Sequence, residues 1–296
     1  MNRLNIRKWT ATLLVCAIVL LSFAICACHV VKLMSYVPIA HSPTLIAHRG
    51  DTIAAPENSL KSIIAAGKSN MDYAEIDVRL TSDGKPVLFH DRKTGRLSRS
   101  GINRKINKLT YRQLGSIAMG SNDSSYTVPS LGQAIIAARQ SKKLGLLIDL
   151  KTDDRHALKL VRAVSKEIER YDFSDRVMLM ATSRRAINIL RTQHPSWRVG
   201  WCLSGQASRV NWCQNMDFVV IRSDEVTQDF MNKAKVRNVD VYVGGVCCGD
   251  DAIRALQLGA RGILGDDVHS VRPAISDYLA FGVQYAQLLG LRFGQH

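Results

Sequence analysis

The chain has 296 residues, of which 46% are apolar, and a formal net charge of +15. That length allows one large domain or two ordinary ones with a sizeable core. The first forty residues contain four Lys/Arg and no Asp/Glu, so the remainder keeps a charge of 36 − 25 = +11. A basic surface favours anionic partners such as phosphodiesters, anionic membranes or wall polyanions, although an excess of solvated lysine has the same composition. The chain has no arginine-rich tail, zinc-finger spacing or RNA-binding aromatic motif, which argues against nucleic acid.

An uncharged apolar run stands near the start of the chain. Three basic residues among the first eight precede Trp9 to Val31, which contains no Asp, Glu, Lys or Arg over 23 residues. A run of this length is sufficient to span a bilayer as a helix, whereas the apolar region of a cleaved signal peptide is usually shorter. We predict an uncleaved single-pass anchor in the cell membrane, with a cleaved signal peptide as the alternative. The preceding charges predict a cytoplasmic N-terminus and an extracytoplasmic remainder.

Short apolar runs alternate with amphipathic ones through the rest of the chain. The predicted strands are Thr44–His48, Ala74–Leu80, Leu144–Leu150, Val177–Ala181, Arg198–Leu203, Phe218–Arg222, Asp240–Val246 and Gly262–Gly265. The predicted helices are Ser59–Ser69, Leu131–Gln140, Ala157–Arg170, Arg184–Gln193, Ser208–Gln214, Thr227–Val236, Asp251–Leu258 and Val271–Leu279. Such alternation is typical of parallel strands covered by helices. The α/β pattern fits a closed, TIM-like (β/α)8 barrel or an open doubly wound sheet.

The predicted organisation has four parts. They are the cytoplasmic N-terminus and transmembrane anchor (1–36), a linker (37–43), the α/β domain (44–279) and a C-terminal tail (280–296).

One apolar segment, Pro86–His90, does not fit the alternation. A turn signal at Ser82 to Lys85 precedes it, so we predict a hairpin arm that folds back on the second strand. The arm would bring His90 over the mouth of a barrel. Residues 91–126 are polar and poorly patterned, and we predict a loop there with a short helix near Tyr111–Ile117.

Candidate site residues stand at or near the ends of the apolar runs. Glu75 and Asp77 are two residues apart on one predicted strand and therefore face the same side, and Asp149 and Lys151 repeat this spacing on the next. In a barrel that side is the interior, where unpaired charge is unfavourable. Three carboxylates supply the hard oxygen ligands that one divalent cation, Mg²⁺ or Ca²⁺, prefers. The alternatives are a solvent-facing strand and an ordinary ion pair between Asp149 and Lys151.

Two histidines and a second polar pair complete the candidate set. His48-Arg49 follows the first predicted strand, and His90-Asp91 ends the predicted arm. A histidine has a pKa near neutrality and can act as a general acid or base. Glu57-Asn58 precedes a predicted helix, where the pair could cap the helix; such a cap is compatible with a place at the site edge.

The order of these motifs resembles the glycerophosphodiester phosphodiesterase family. The matching segments are His48-Arg49-Gly50, Pro56-Glu57-Asn58, Glu75-Ile76-Asp77-Val78, Thr81-x-Asp83-Gly84 and His90-Asp91. The resemblance implies the closed barrel. It also implies His48 and His90 as the acid/base pair and Glu75, Asp77 and Asp149 as metal ligands. We predict that Arg49, Glu57, Asn58 and Lys151 bind the substrate.

Two positions depart from the family pattern. The third strand usually carries Glu where this chain has Asp149, which is one methylene shorter. Val243–Cys247 stands where the family has a segment similar to Trp-Thr-Val-Asn that lines the substrate pocket. Without the aromatic ring, a wider pocket or a different alcohol preference is expected. The adjacent Cys247 and Cys248 are interpreted as buried free thiols, and the absence of a CxxC pair argues against a zinc site.

The resemblance implies metal-dependent hydrolysis of glycerophosphodiesters to glycerol phosphate and an alcohol. The predicted anchor and the basic charge favour a reaction at the membrane surface. The substrate would be a glycerophosphodiester, a lysophospholipid or a glycerol-phosphate polymer. One alternative is a lysophospholipase D-type enzyme or a lyase that stops at a cyclic phosphate. The other is a non-catalytic barrel that binds glycerol-phosphate polymers. The sequence leaves the oligomeric state open.

Overall fold

A computed structural model describes residues 14, 17–24, 36–39, 41–121, 124–203, 205–212 and 215–288. The chain divides into two compact units, Ile39–Asp277 and Met1–Pro38 together with Tyr278–His296. Most of the predicted anchor, residues 9–31, lies outside the described residues. None of the helices within the described ranges has both the length and the apolar content needed to cross a bilayer. In the smaller unit, the Tyr36 ring stacks on Tyr278 with ring centroids 5.1 Å apart.

The larger unit is a closed barrel of eight parallel strands. The strands in the described ranges are β1 (Thr44–Ala47), β2 (Tyr73–Leu80), β3 (Pro86–Leu88), β4 (Met119–Gly120), β5 (Ser125–Tyr126), β6 (Gly145–Leu150), β7 (Val177–Ala181), β8 (Arg198–Cys202), β9 (Phe218–Arg222), β10 (Asp240–Val246) and β11 (Gly262–Gly265). The barrel order is β1, β2, then β6 to β11, and β11 pairs with β1 to close it. The prediction of a barrel is confirmed, and the open sheet is excluded.

Alternate residues of the strands fill the barrel interior. The buried cluster contains Ile46, Leu147, Met178, Met180, Phe218, Val220, Tyr242 and Leu264. Side chains of a strand point alternately inward and outward, which places one apolar set inside and another against the helices. Gly200 on β8 allows the Phe218 ring to pack closely, because a Cβ at this position would lie 2.2 Å from a ring carbon.

Helices cover the outside of the barrel and follow most of the strands. The helices in the described ranges are α1 (Leu60–Lys68), α2 (Tyr111–Gly115), α3 (Leu131–Ala138), α4 (Ala157–Arg170), α5 (Arg184–Gln193), α6 (Gln228–Val236), α7 (Gly249–Gln257) and α8 (Val268–Leu288). Ser59, Ser130, Ser183 and Thr227 cap four of them, since each side-chain oxygen accepts a hydrogen bond from a backbone N–H in the first turn. The last helix continues past the predicted end at Leu279.

The predicted helix Ser208–Gln214 is wrong. The described part of this segment contains only a 3₁₀ turn, Ala207–Arg209, after β8. Asn211 has a short polar side chain that competes with helical hydrogen bonds. The Trp212 ring packs against Phe230 of α6, with centroids 5.2 Å apart, so this tertiary contact fixes the segment in a non-helical path.

The arm and the long loop form an insertion between β2 and α3. Strand β3 pairs antiparallel with β2, as predicted, and Phe89 N–H donates to the Asp77 carbonyl beyond the end of the strand. The loop that follows contains α2 and the short antiparallel pair β4–β5. It has its own apolar cluster of Val87, Phe89, Ile106, Leu109, Leu114, Ile117, Met119 and Val128. The insertion is therefore a packed layer beside the mouth of the barrel.

Candidate active site

Three carboxylates converge inside the barrel near its C-terminal end. Glu75 and Asp77 extend from β2 and Asp149 from β6, and Asp77 is the register partner of Asp149. One oxygen of each lies within 4.8 Å of the others, and all three residues are buried. The predicted interior placement is therefore confirmed, and the solvent-facing alternative is wrong. Active sites of such barrels form at this end.

Burial makes the ionisation of this cluster unfavourable. Burial first, and then the charge of the neighbouring Asp77, raise the pKa of Glu75 to about 8. Burial also raises the pKa of Asp149, against the opposing charge of Lys151. Burial acts on Asp77 in the same direction, but the cations around it, Lys151 first, more than offset it and its pKa is lowered. A cation placed between the three groups would favour their ionised forms.

Two basic side chains lie against the carboxylates. Lys151 Nζ is 2.9 Å from Asp77 Oδ1 and 2.5 Å from Asp149 Oδ2. Arg49 Nε is 3.4 Å from Asp77 Oδ2, and the Arg49 backbone N–H donates to Glu75 at 2.9 Å. Asp149 and Lys151 do form an ion pair, as the alternative proposed, but Lys151 also bridges to Asp77. The pair is therefore part of the cluster.

Glu57 and Asn58 hold the residues that border the cluster. Asn58 is buried, and its side chain exchanges two hydrogen bonds with Asp77, at 2.7 Å to a carboxylate oxygen and 2.9 Å from the backbone N–H. Glu57 accepts from Arg49 at 3.1 and 3.2 Å. Ser59 caps α1, so the capping alternative for this pair is wrong. Arg49 and Asn58 both have positive φ, +57° and +53°, a backbone conformation that is uncommon outside glycine and often found at functional sites.

His48 lies between two carboxyl groups at the end of β1. Its Nδ1 is hydrogen-bonded to Asp266, and its Nε2 is 3.9 Å from Glu75 Oε2. Burial lowers the pKa of His48, but the Asp266 hydrogen bond and the Glu75 charge outweigh this effect, so the net pKa is raised. The His48 hydrogen bond lowers the pKa of Asp266. An ionised Asp266 only accepts hydrogen bonds, so Nδ1 carries the hydrogen and Nε2 faces the cluster as the basic nitrogen.

His90 has a matching arrangement on the arm. Its Nδ1 is 2.7 Å from Asp91 Oδ1, and its carbonyl accepts two hydrogen bonds from Arg79. Arg79 also donates to the Lys151 carbonyl at 3.2 Å, which connects the arm to the strand end of β6. Arg96 contacts Asp91 at 2.6 Å and both oxygens of Glu57 at 2.6 and 2.9 Å. These charge-assisted bonds join the loop of His90 to the loop of Arg49.

The carboxylate cluster fits a single divalent cation. Oxygens that bind one Ca²⁺ are at most about 5 Å apart, which matches the spacing of the three groups. Among the described residues, the buried Asp149 Oδ1 has no hydrogen-bond partner, so this atom is available as a ligand. All three donors are carboxylate oxygens, the type that Mg²⁺ and Ca²⁺ prefer.

The sequence profile of the glycerophosphoryl diester phosphodiesterase family matches residues 48–270, which include every residue of this site. The chain belongs to this family. It is similar to YhdW of Bacillus subtilis, with 31% identity over 157 residues that cover 51% of the chain and 62% of the relative. It is also similar to glycerophosphodiester phosphodiesterase 1 of Homo sapiens, with 34% identity over 127 residues that cover 41% of the chain and 37% of the relative. The chain spans less than two thirds of the length of these two relatives.

The barrel is also similar to solved structures. A phosphodiesterase of Oleispira antarctica in complex with the product sn-glycerol-3-phosphate superposes with a TM-score of 0.71 and 23% identity, over 79% of the chain and 97% of that structure. At this identity the likeness establishes the shared fold.

The predicted site residues meet in one place, and four residues to which the sequence analysis assigned no role join them. Asp266, Asp91, Arg79 and Arg96 hold His48, His90 and the loops around them. Asp266 directly follows β11, and the rule that barrel sites form at strand ends would have found it. Arg96 lies in a loop without a recognisable element, so no pattern in the sequence identified it. The assigned roles of the predicted residues remain predictions.

The two departures from the family pattern lie in different surroundings. Asp149 is inside the cluster beside Lys151. In the Val243–Cys247 segment, β10 has a bulge at Gly245, and the Cys247 thiol donates to Asp266 at 3.7 Å. Cys247 and Cys248 are both exposed, so the interpretation as buried thiols was wrong. They directly follow a strand at the open end of the barrel, where the chain turns outward into α7.

Proposed function

We propose that the protein hydrolyses glycerophosphodiesters to glycerol phosphate and an alcohol. The observation that supports this most directly is the pair of histidines, each with Nδ1 bonded to a carboxylate, beside a buried three-carboxylate cluster. A site for binding alone has no need of two such oriented proton carriers. The family relationship and the product bound to the Oleispira antarctica phosphodiesterase support the same substrate class.

The two imidazoles would transfer the protons of the reaction. One Nε2 accepts the proton of the attacking oxygen, and the other imidazole, entering as imidazolium, protonates the leaving alkoxide. A P–O bond to the attacking oxygen forms while the P–O bond to the alcohol breaks. Asp266 and Asp91 keep the two rings in the orientation and tautomer that this exchange requires.

The basic residues would stabilise the charge that develops on the phosphoryl oxygens. Arg49 and Lys151 lie at the rim of the cluster and are only partly exposed, so their charges act with little screening. Glu75, Asp77 and Asp149 would hold one Mg²⁺ or Ca²⁺, which supplies further positive charge against the same oxygens. Glu57 and Asn58 then act by fixing Arg49 and Asp77.

The proposal includes a membrane setting for the enzyme. The uncharged run from Trp9 to Val31 supports a single-pass anchor in the cell membrane, and the preceding positive charges support an extracytoplasmic barrel. The substrate would then be a glycerophosphodiester, lysophospholipid or glycerol-phosphate polymer at or near the envelope. The Val243–Cys247 segment at the strand end has no aromatic ring of the family type. The preferred alcohol group would therefore be one that needs no aromatic contact.

The test is turnover of glycerophosphodiesters by the purified full chain in Mg²⁺, Ca²⁺ or EDTA. We expect metal-dependent release of glycerol phosphate that is lost in His48→Ala and Glu75→Gln. His41→Ala is the matched control, because His41 precedes β1 and lies at the opposite end of the strands from the site. Turnover that is unchanged in EDTA would contradict the proposed role of the carboxylate cluster.

The product separates this function from its rivals. A free phosphomonoester is the expected product, whereas accumulation of a cyclic phosphate would identify a lyase. Release of acylated glycerol phosphate (lysophosphatidate) and the head-group alcohol from lysophospholipid at a higher kcat/KM would assign lysolipid as the preferred substrate. Absence of turnover on all three substrate types, with bound metal measured by elemental analysis, would support a binding barrel instead.

A further inference from the structure

A strongly basic segment borders the site. It runs from Arg92 to Arg112, directly after His90-Asp91, and is called the basic segment here. It contains eight Lys/Arg, and neither Asp nor Glu occurs between Arg92 and Ser121. All eight basic side chains are exposed: Arg92, Lys93, Arg96, Arg99, Arg104, Lys105, Lys108 and Arg112.

The basic segment is an ordered part of the fold. Ile106 and Leu109 are buried in the apolar cluster of the insertion. Backbone hydrogen bonds join its two halves, from Thr94 N–H to the Arg104 carbonyl at 3.0 Å and from Ile106 N–H to the Arg92 carbonyl at 3.1 Å. The charged side chains are therefore presented outward by a folded layer.

Among the residues that the structure describes, most of these charges have no acidic partner in an ion pair. In the described ranges, no carboxylate forms an ion pair with Arg92, Lys93, Arg104, Lys105, Lys108 or Arg112. Lys93 and Lys105 are directly opposite each other in an antiparallel bridge. Like charges in such a pair repel and destabilise the structure. An anionic surface outside the protein would relieve this repulsion.

Two exposed isoleucines share the end of the barrel where the basic segment lies. Ile102 is in the segment and is 40% exposed, and Ile53 is in the loop between β1 and α1 and is 63% exposed. The loop of Ile53 follows the C-terminal end of β1, and the basic segment belongs to the insertion that begins at the C-terminal end of the neighbouring strand β2. Arg96 joins the two loops through Glu57. Basic residues combined with isolated exposed apolar ones are typical of surfaces that enter a lipid interface.

We propose that this end of the barrel docks on an anionic lipid bilayer. The basic segment contacts the phosphate head groups, and Ile53 and Ile102 enter the interface between them. A soluble polyanion would use the charges but has no use for the isoleucines, which is why we favour lipid. The inference deepens the proposed function, on which it rests for the substrate, because it brings the site mouth to the surface that contains phosphodiesters.

The test compares two positions of the full chain in nanodiscs with brominated lipids. Ile102→Trp reports contact at the proposed surface, and Val236→Trp is the control, since Val236 is 83% exposed at the C-terminal end of α6, at the opposite end of the barrel. The wild-type chain gives the background of its own tryptophans. We expect extra quenching at position 102 when phosphatidylglycerol is added to phosphatidylcholine, and none at position 236. Equal quenching at both positions would overturn the proposal. Quenching at position 102 that is the same with and without phosphatidylglycerol would also overturn it.

Charge reversal supplies the second arm. A basic residue near an anionic bilayer strengthens binding about fivefold, so Lys93→Glu/Lys105→Glu, made in the Ile102→Trp chain, should shift the docking equilibrium by at least about 25-fold. Lys142→Glu/Lys143→Glu is the matched control, because these exposed lysines precede β6 at the other end of the barrel. An equal effect of both double variants would overturn the proposal. Binding of a soluble glycerol-phosphate polymer to the basic segment, in a chain that shows no lipid-dependent quenching, would also overturn the proposal.

The quenching readout does not depend on turnover. Hydrolysis of a water-soluble glycerophosphodiester is measured on the same Lys93→Glu/Lys105→Glu chain. Lipid-dependent quenching in an Ile102→Trp chain that shows no turnover would contradict the proposed function alone. Normal turnover without lipid-dependent quenching would contradict the docking surface alone.

Discussion

Glu75→Gln should stabilise the metal-free protein at neutral and alkaline pH. Burial raises the pKa of the Glu75 carboxyl from 4.5 to about 8 in the folded protein. Between these two values the folded chain holds a proton that the unfolded chain has released. Stability from this group is therefore fully present below about pH 4.5 and declines as the pH rises toward 8. Glutamine has nearly the same shape and does not ionise, so it removes this decline.

The magnitude follows from the shift. Each pH unit between the two pKa values costs about 1.4 kcal/mol, so at pH 7.5 the three units above 4.5 amount to about 4 kcal/mol. Between pH 4.5 and pH 7.5, the free energy of unfolding of the variant should rise by this amount relative to that of the wild type. In the presence of the divalent cation the order should reverse, because the wild type binds the ion through all three carboxylates and the variant through two.

The assay is urea denaturation in EDTA at a series of pH values, followed by the same series with Ca²⁺ or Mg²⁺. Asp77 and Asp149 remain in both proteins, so the difference between the two curves isolates position 75. Parallel pH curves in EDTA would refute the reasoning. A variant stabilised by the cation as strongly as the wild type would show that Glu75 is not a ligand.

Three further predictions test contacts around the site and in the barrel. Asp266→Asn should lower kcat by about 10²- to 10⁴-fold, because an amide no longer fixes the His48 tautomer, with little change in the urea midpoint. Arg96→Gln should lower kcat/KM about 10- to 100-fold through loss of its bonds to two carboxylates, in a chain whose circular dichroism spectrum is unchanged. Gly200→Ala should destabilise the fold by about 1–3 kcal/mol in urea denaturation, because the added methyl overlaps the Phe218 ring. If a variant gives the wild-type value in its assay, that result contradicts the role assigned to its contact.

The barrel was predictable because its signals are local and repeated. The barrel strands are short apolar runs, and the helices Ala157–Arg170, Arg184–Gln193 and Gly249–Gln257 each have a clear amphipathic face. The arm was predictable for the same reason, since Asp83-Gly84 marks its turn. The segment after β8 failed because Trp212 is held by a contact with Phe230, which lies eighteen residues later in the chain. No local pattern contains that information.

The site was only partly predictable, because charge networks depend on distance in space. The spacing of Glu75 and Asp77 on one strand was enough to place both inside the barrel. The sequence separates His48 from Asp266 by 218 residues, and only barrel closure brings them together. The role of Asn58 was also hidden, because its side chain turns inward to Asp77 through a left-handed backbone conformation.

The charges of the site explain why it should take both a cation and an anionic substrate. Six carboxyl groups meet there, from Glu57, Glu75, Asp77, Asp91, Asp149 and Asp266, against four cations, Arg49, Arg79, Arg96 and Lys151. With neutral histidines the net charge of these groups is −6 + 4 = −2. Burial opposes this negative charge, because it raises the pKa values of Glu75 and Asp149. One divalent cation would bring the sum to zero with every carboxylate ionised. A phosphodiester with a single negative charge would then be balanced by protonation of one histidine, which is the state that the acid role requires.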